Sequence, residues 1–107
     1  MALYAVQVAY TPGAWATLVK KPQNRMKAVG QSVEKLGGKI MSSWMTFGDY
    51  DFLLVLNMPD NVSAAAFAVA VAAGGACRSV KTTPLLSMEQ GMEAMKKARA
   101  SGYKPPR

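Results

Sequence analysis

KIMSSWMTFGDYDFLLVLNM, residues 39 to 58, holds two apolar runs, KIMSSWMTF and YDFLLVLNM, separated only by Gly48 and Asp49. A connection that short turns the chain back on itself, so the spacing predicts antiparallel strands over 39–47 and 50–58. A two-residue loop with glycine first suits the mirror-image turns whose twist matches a hairpin. The second run also says how the sheet must be covered. Side chains alternate along a strand, so Tyr50, Phe52, Leu54, Leu56 and Met58 share one face, while Leu53 and Val55 share the other between Asp51 and Asn57. A strand apolar on both faces sits inside a sheet that is covered on both.

The flanking sequence supplies the rest of that sheet. ALYAVQVAY, residues 2–10, is aliphatic and aromatic with Gln7 as its polar interruption, and Thr11, Pro12 and Gly13 punctuate its end; it reads as a buried strand. Over 22–36 the period changes. Met26, Val29, Val33 and Leu36 line one side of an amphipathic helix that has Pro22 near its start and Gly37 and Gly38 as its stop. Pro59 and Asp60 close the second hairpin strand, and the alanine-rich VSAAAFAVAVAA, residues 62–73, predicts a second helix ended by Gly74 and Gly75. CRSVKTTPLL, residues 77–86, is a fourth strand whose Pro84 suits an edge. Ser87 and Gln90 have the spacing of a capping box, and a last helix is expected from Met88 with Met88, Met92 and Met95 on one stripe.

This order predicts an α+β, ferredoxin-like βαββαβ domain with a four-stranded antiparallel sheet and an appended C-terminal helix. Residues 1–100 form one domain and 101–107, beginning at Ser101 and containing YKPPR, a tail. The first two helices cover only one sheet face in this topology. The other face needs the third helix or a second copy of the chain, and a homodimer with two sheets face to face is the expected solution.

Composition narrows the chemistry. Half of the 107 residues are hydrophobic and 18% are charged, as in a packed domain. Asn57, Pro59, Asp60 and Asn61 break the central apolar stretch into pieces too short to span a bilayer, which needs about 20 apolar residues. The N-terminus shows no positive segment before its apolar run, so a secretory leader is not expected and the cytoplasm is the expected location. The chain contains no histidine and one cysteine, Cys77. That excludes imidazole bases, the usual catalytic triads and His-ligated metals, and no cofactor or metal is expected. The net charge of +7 raises a nucleic-acid hypothesis. Lys96, Lys97, Arg99, Lys104 and Arg107 carry no intervening acid, but such a segment is ordinarily a solvated helix face and tail, so nucleic acid is not the expected partner.

The stretch LGGKIMSSWMTFGDYDFLLVLNMPDNVSAAAFAVAVAAGGACRSVKTTPLL, residues 36–86, resembles the core of a GYD domain, with Gly48, Tyr50 and Asp51 as the family motif. With the leading strand and first helix, the resemblance covers residues 2–86. It implies a ferredoxin-like dimeric α/β barrel. Domains of that wider group include cofactor-independent monooxygenases, isomerases, haem enzymes and effector-binding modules, and fold alone does not choose among them.

The candidate ligand-binding residues are Gln7, Tyr10, Trp44, Tyr50, Asp51 and Arg78. Asp51 opens a strand and is the best candidate for a catalytic acid or base; its plain structural alternative is a salt bridge to Lys39 or Arg78. Tyr50 offers a phenolic donor, against ordinary packing on Phe47. Trp44 and Tyr10 are candidates for an apolar cavity wall between sheets, and Gln7 is a polar group that needs a partner inside an apolar strand. Asp49 is read as a solvated turn residue and Cys77 as a small buried one. The expected function is binding of a small organic molecule in a homodimer. The alternatives are a cofactor-independent monooxygenase or isomerase using Asp51, with Tyr50, Trp44 and Gln7 orienting the substrate, and a basic nucleic-acid-binding module using Lys96 to Arg107. No residue pattern names a reaction.

Overall fold

In the computed structural model, which describes residues 2–106, strand β1 (Ala2–Tyr10) is the axis of the sheet. β3 (Phe52–Met58) pairs with it on one side and β4 (Cys77–Leu85) on the other, both antiparallel; β2 (Lys39–Met45) pairs beyond β3. The order is β2-β3-β1-β4, so the two central strands are the two whose sequences are apolar on both faces, and Pro84 lies on an edge. The fold is the ferredoxin-like arrangement. Among the described residues no helix is long and apolar enough to cross a membrane.

One element has no counterpart in the sequence reading. Helix α1 (Pro12–Lys20) begins where Thr11, Pro12 and Gly13 look like simple punctuation. Thr11 is its N-cap, with Oγ1 accepting from the Ala14 N–H at 3.1 Å, and Pro12 occupies the first turn, where the missing N–H costs nothing. Helix α2 (Met26–Lys35) consequently starts later than the expected residue 22, after a link containing Pro22. α3 (Asn61–Ala73) and α4 (Met88–Ala100) lie close to where their caps place them.

The hairpin is wider than its sequence predicts. β2 stops at Met45 and β3 starts at Phe52, so the expected two-residue mirror-image turn is replaced by a longer loop. The Thr46 N–H donates to the Asp51 carbonyl at 2.7 Å, Thr46 Oγ1 donates to the Tyr50 carbonyl at 2.8 Å, and Gly48 takes a φ of 139°. The physical reason lies across the sheet: the Asp51 N–H donates to the Val8 carbonyl at 2.8 Å, so this residue answers to β1 rather than to a tight turn. Phe47 is 97% exposed and does not pack against Tyr50 as expected.

The core occupies one face. Tyr4, Val6 and Val8 of β1 and Leu54, Leu56 and Met58 of β3 are buried against Val33 of α2 and Ala64 and Phe67 of α3. The Tyr4 hydroxyl also donates to Asn61 Oδ1 at the start of α3. The joint between α2 and β2 is tight: a Cβ on Gly38 would stand 2.8 Å from the Asn57 carbonyl and closer still to Met58 Sδ, so only glycine fits.

The opposite face is built differently. Register aligns Trp44, Leu53, Gln7 and Lys81 in one row, Ser42, Val55, Ala5 and Thr83 in the next, and Lys39, Asn57, Leu3 and Leu85 in a third. None of these residues is buried, although the rows carry apolar side chains through their centres. α4 does not cover them; it buries none of its own residues and leaves the body of the domain. The radius of gyration, 17.0 Å, reflects that projection, since a compact chain of this length has about 13 Å.

Candidate functional site

α2 packs on β2, whereas α3 packs on β4 and β3. Between the two helices a groove of about 490 Å³ runs over the helical face of the sheet. Its walls are shallow because the residues facing it are small: Ala28 and Ser32 from α2, Ala66 and Ala70 from α3. Val29, Phe67 and Val71 make the interior apolar. The alanine richness that makes α3 a helix therefore also leaves room beside it.

At one end the groove is closed by Tyr10 and Cys77, which face each other across β1 and β4 where the register shifts between Ala9 and Tyr10. Behind Tyr10 one carboxylate oxygen holds two N–H donors. Asp51 Oδ2 accepts the Tyr10 backbone N–H at 2.8 Å and the Trp15 indole N–H at 3.1 Å. Around it the Tyr10 ring lies 5.6 Å from that of Trp15 and 5.2 Å from that of Phe52, and Trp15 stacks on Phe52 at 5.9 Å and 21°. Such distances are those at which aromatic rings attract one another. One carboxylate thus ties together the end of β1, the start of β3 and α1, a helix with no buried residue. Burial, and then the negative charge of Asp51, push the Cys77 thiol above its ordinary pKa, which disfavours the thiolate.

The expected site residues separate. Tyr10 and Asp51 come together at the groove's end, with Asp51 bonded to Tyr10 and Trp15. Lys39, offered above as an ion-pair partner, pairs with Asn57 at the far end of β3, roughly 20 Å of strand away. Gln7 and Trp44 lie in the open row flanking Leu53, on the face away from the groove, so Tyr10 and Trp44 do not line one cavity. Trp44 is 62% exposed. Tyr50 sits half-buried in the hairpin loop, where its carbonyl serves Thr46, and Arg78 is exposed at the register shift of β4. Asp49 is exposed in the loop. Trp15, absent from the candidates above, is the residue that completes the cluster; its only sequence signal is an indole N–H that a packed tryptophan must satisfy.

Residues 4–95 match the family profile described as GYD domain, a span that runs past β4 into α4. No curated protein matches the chain. Among solved structures, MtbAldR is similar at a TM-score of 0.58 and 16% identity over 80% of this chain, which spans 53% of that one. FFRP-DM1 is similar at 0.54 and 9% identity over 80% of this chain and 100% of its own. The hypothetical protein PHS023 from Pyrococcus horikoshii is similar at 0.52 and 9% identity over 81% of this chain and 92% of its own. Likeness at these identities is a likeness of fold.

Proposed function

The chain belongs to the GYD domain family, and from that premise we propose that it is a homodimeric domain binding a small organic molecule in the groove between α2 and α3. The observation that carries the binding reading is the groove itself. About 490 Å³ lined mainly by apolar side chains, with a few polar groups at its ends, falls in the range of sites for small molecules. Its closed end is held in place by Asp51 through bonds to two different elements, which is how a binding site is kept in shape before its ligand arrives.

The same bonds bear on the enzymatic alternative. With Oδ2 taken up by two N–H donors, Asp51 is a positioning residue for Tyr10 and Trp15, and the thiol beside it is pushed above its ordinary pKa, away from the thiolate. These facts favour binding over a monooxygenase or isomerase that uses Asp51 as acid or base. The dimer rests on the uncovered sheet face: rows centred on Leu53, Val55 and Ala5 would be buried by the equivalent rows of a second copy.

Native mass spectrometry of the purified chain tests both parts. Twice the chain mass, reduced to one chain mass in Val55→Asp, is the expected result, with ligand binding lost in Ala70→Trp, which fills the groove. A single chain mass at micromolar concentration overturns the dimer. A panel of small organic molecules whose binding is the same in wild type and Ala70→Trp overturns the groove as the site.

A further inference from the structure

Resting on the reading of the groove as a binding site, we propose that its ligand is an amphipathic organic anion, a carboxylate on an apolar chain or ring, with the carboxylate held at Arg25 and the apolar part lying between α2 and α3. The charged residues that line the groove are Arg25 and Lys35, both cations, and no acidic side chain is among its lining. They stand at opposite ends of α2, about 15 Å apart along the helix, so the apolar stretch between them has the form of a slot with a positive group at each mouth.

The Arg25 end is the better anion seat for three reasons. Arg25 is the N-cap of α2, and the N-terminal end of a helix of this length carries partial positive charge, with Asn24 Oδ1 taking one of its first N–H groups, that of Met26, at 2.9 Å. The first turn of α2 contains no acidic residue to compete for them. A guanidinium also matches a carboxylate with two parallel hydrogen bonds, whereas the ammonium of Lys35, at the C-terminal end of the helix dipole, is a point charge. Tyr10 and Cys77 close this end of the groove, and burial followed by the Asp51 charge pushes the Cys77 thiol up, against the thiolate. Asp51, the nearby acid, is outside the lining and gives Oδ2 to the Tyr10 and Trp15 N–H groups. The apolar part of the ligand meets Val29, Ala66, Ala70 and Val71, where removing hydrocarbon from water supplies binding energy without selectivity. Charge at Arg25 then supplies the selectivity.

Titration of the ¹⁵N-labelled full chain with octanoate, octan-1-ol and octylamine, followed by NMR, tests this. Octanoate is expected to shift the amides of Ala66 and Ala70 and to bind about tenfold more tightly than octan-1-ol, the scale of one charge-assisted hydrogen bond, with octylamine weakest. Arg25 is exposed, so Arg25→Gln keeps the fold, and it should bring octanoate down to the level of the alcohol while leaving the alcohol unchanged. Lys35→Gln should leave most of the preference intact. Equal affinities for the three compounds, with all binding lost in Ala70→Trp, overturn the anion assignment and leave the groove reading standing. A preference for octanoate that survives Arg25→Gln overturns the placement at Arg25. Shifts for none of the three at Ala66 and Ala70 overturn the groove reading and this inference together.

Discussion

Helices α3 and α4 have the same length, 13 residues each, and are held by opposite means. α3 contains no charged residue, is apolar all round, and sinks Ala64 and Phe67 into the core; at its start it has a single side-chain cap, Asp60 to the Ser63 N–H at 2.7 Å. α4 is stabilised locally at both ends, although Gly91 lies in its interior. Its capping box is complete, with the Gln90 N–H donating to Ser87 Oγ at 3.0 Å and the Ser87 N–H to Gln90 Oε1 at 2.9 Å, and it has Glu89 in the first turn and Lys97 and Arg99 in the last. None of its residues is buried. The difference teaches that caps and burial are alternatives: a helix stabilised by tertiary packing tolerates a plain surface, while one that leaves the domain must be stabilised from within its own sequence.

Breaking the buried member of the pair should have the largest effect. Phe67→Ala removes the aromatic side chain at the centre of the core and is expected to lower unfolding free energy by about 3–5 kcal/mol, measured by urea denaturation. A loss under about 1 kcal/mol would mean that α3 is held by something other than its packing. In α4 the matching experiment is Ser87→Ala, expected to cost about 1 kcal/mol and to be confined to that helix. Hydrogen exchange of the α4 amides should accelerate while the global midpoint stays in place; a falling global midpoint would show that α4 is coupled to the core. The smallest effect belongs to Met92→Ala on the exposed stripe, expected within about 0.5 kcal/mol in the monomeric chain. A larger loss that grows with protein concentration would show that a second copy supplies the contact α4 lacks.

Much of the fold is legible in the sequence because alternation and punctuation are local. Two-sided apolarity placed β1 and β3 centrally, Pro84 marked the edge, and Ser87 with Gln90 marked the start of α4. α1 escaped because nine residues beginning Pro-Gly have no apolar period to announce them, and their one anchor, Trp15, finds its carboxylate 36 positions later. The hairpin loop departs from its local pattern for the same reason: Asp51 is committed to Val8 and Tyr10, more than 40 residues back, and no local pattern shows it. The candidate residues scattered because chemical type alone chose them. Strand parity already separates Gln7 from Tyr10, and with it the open face from the groove. The groove was invisible because it is a gap, made by small residues on two helices that never meet in the sequence.

The chain has two tryptophans, and they report on different events. Trp15 is stacked on Phe52 and bonded to Asp51 at the closed end of the groove; Trp44 stands out from the open sheet face beside Leu53. Their fluorescence therefore divides the molecule's behaviour without any label. A ligand settling against Tyr10 should alter the quenching of Trp15, and a second sheet closing over Leu53 should shift the emission of Trp44 toward the blue. Trp15→Phe and Trp44→Phe would leave a single colour channel for each event, so that occupancy and association become separately readable in one cuvette.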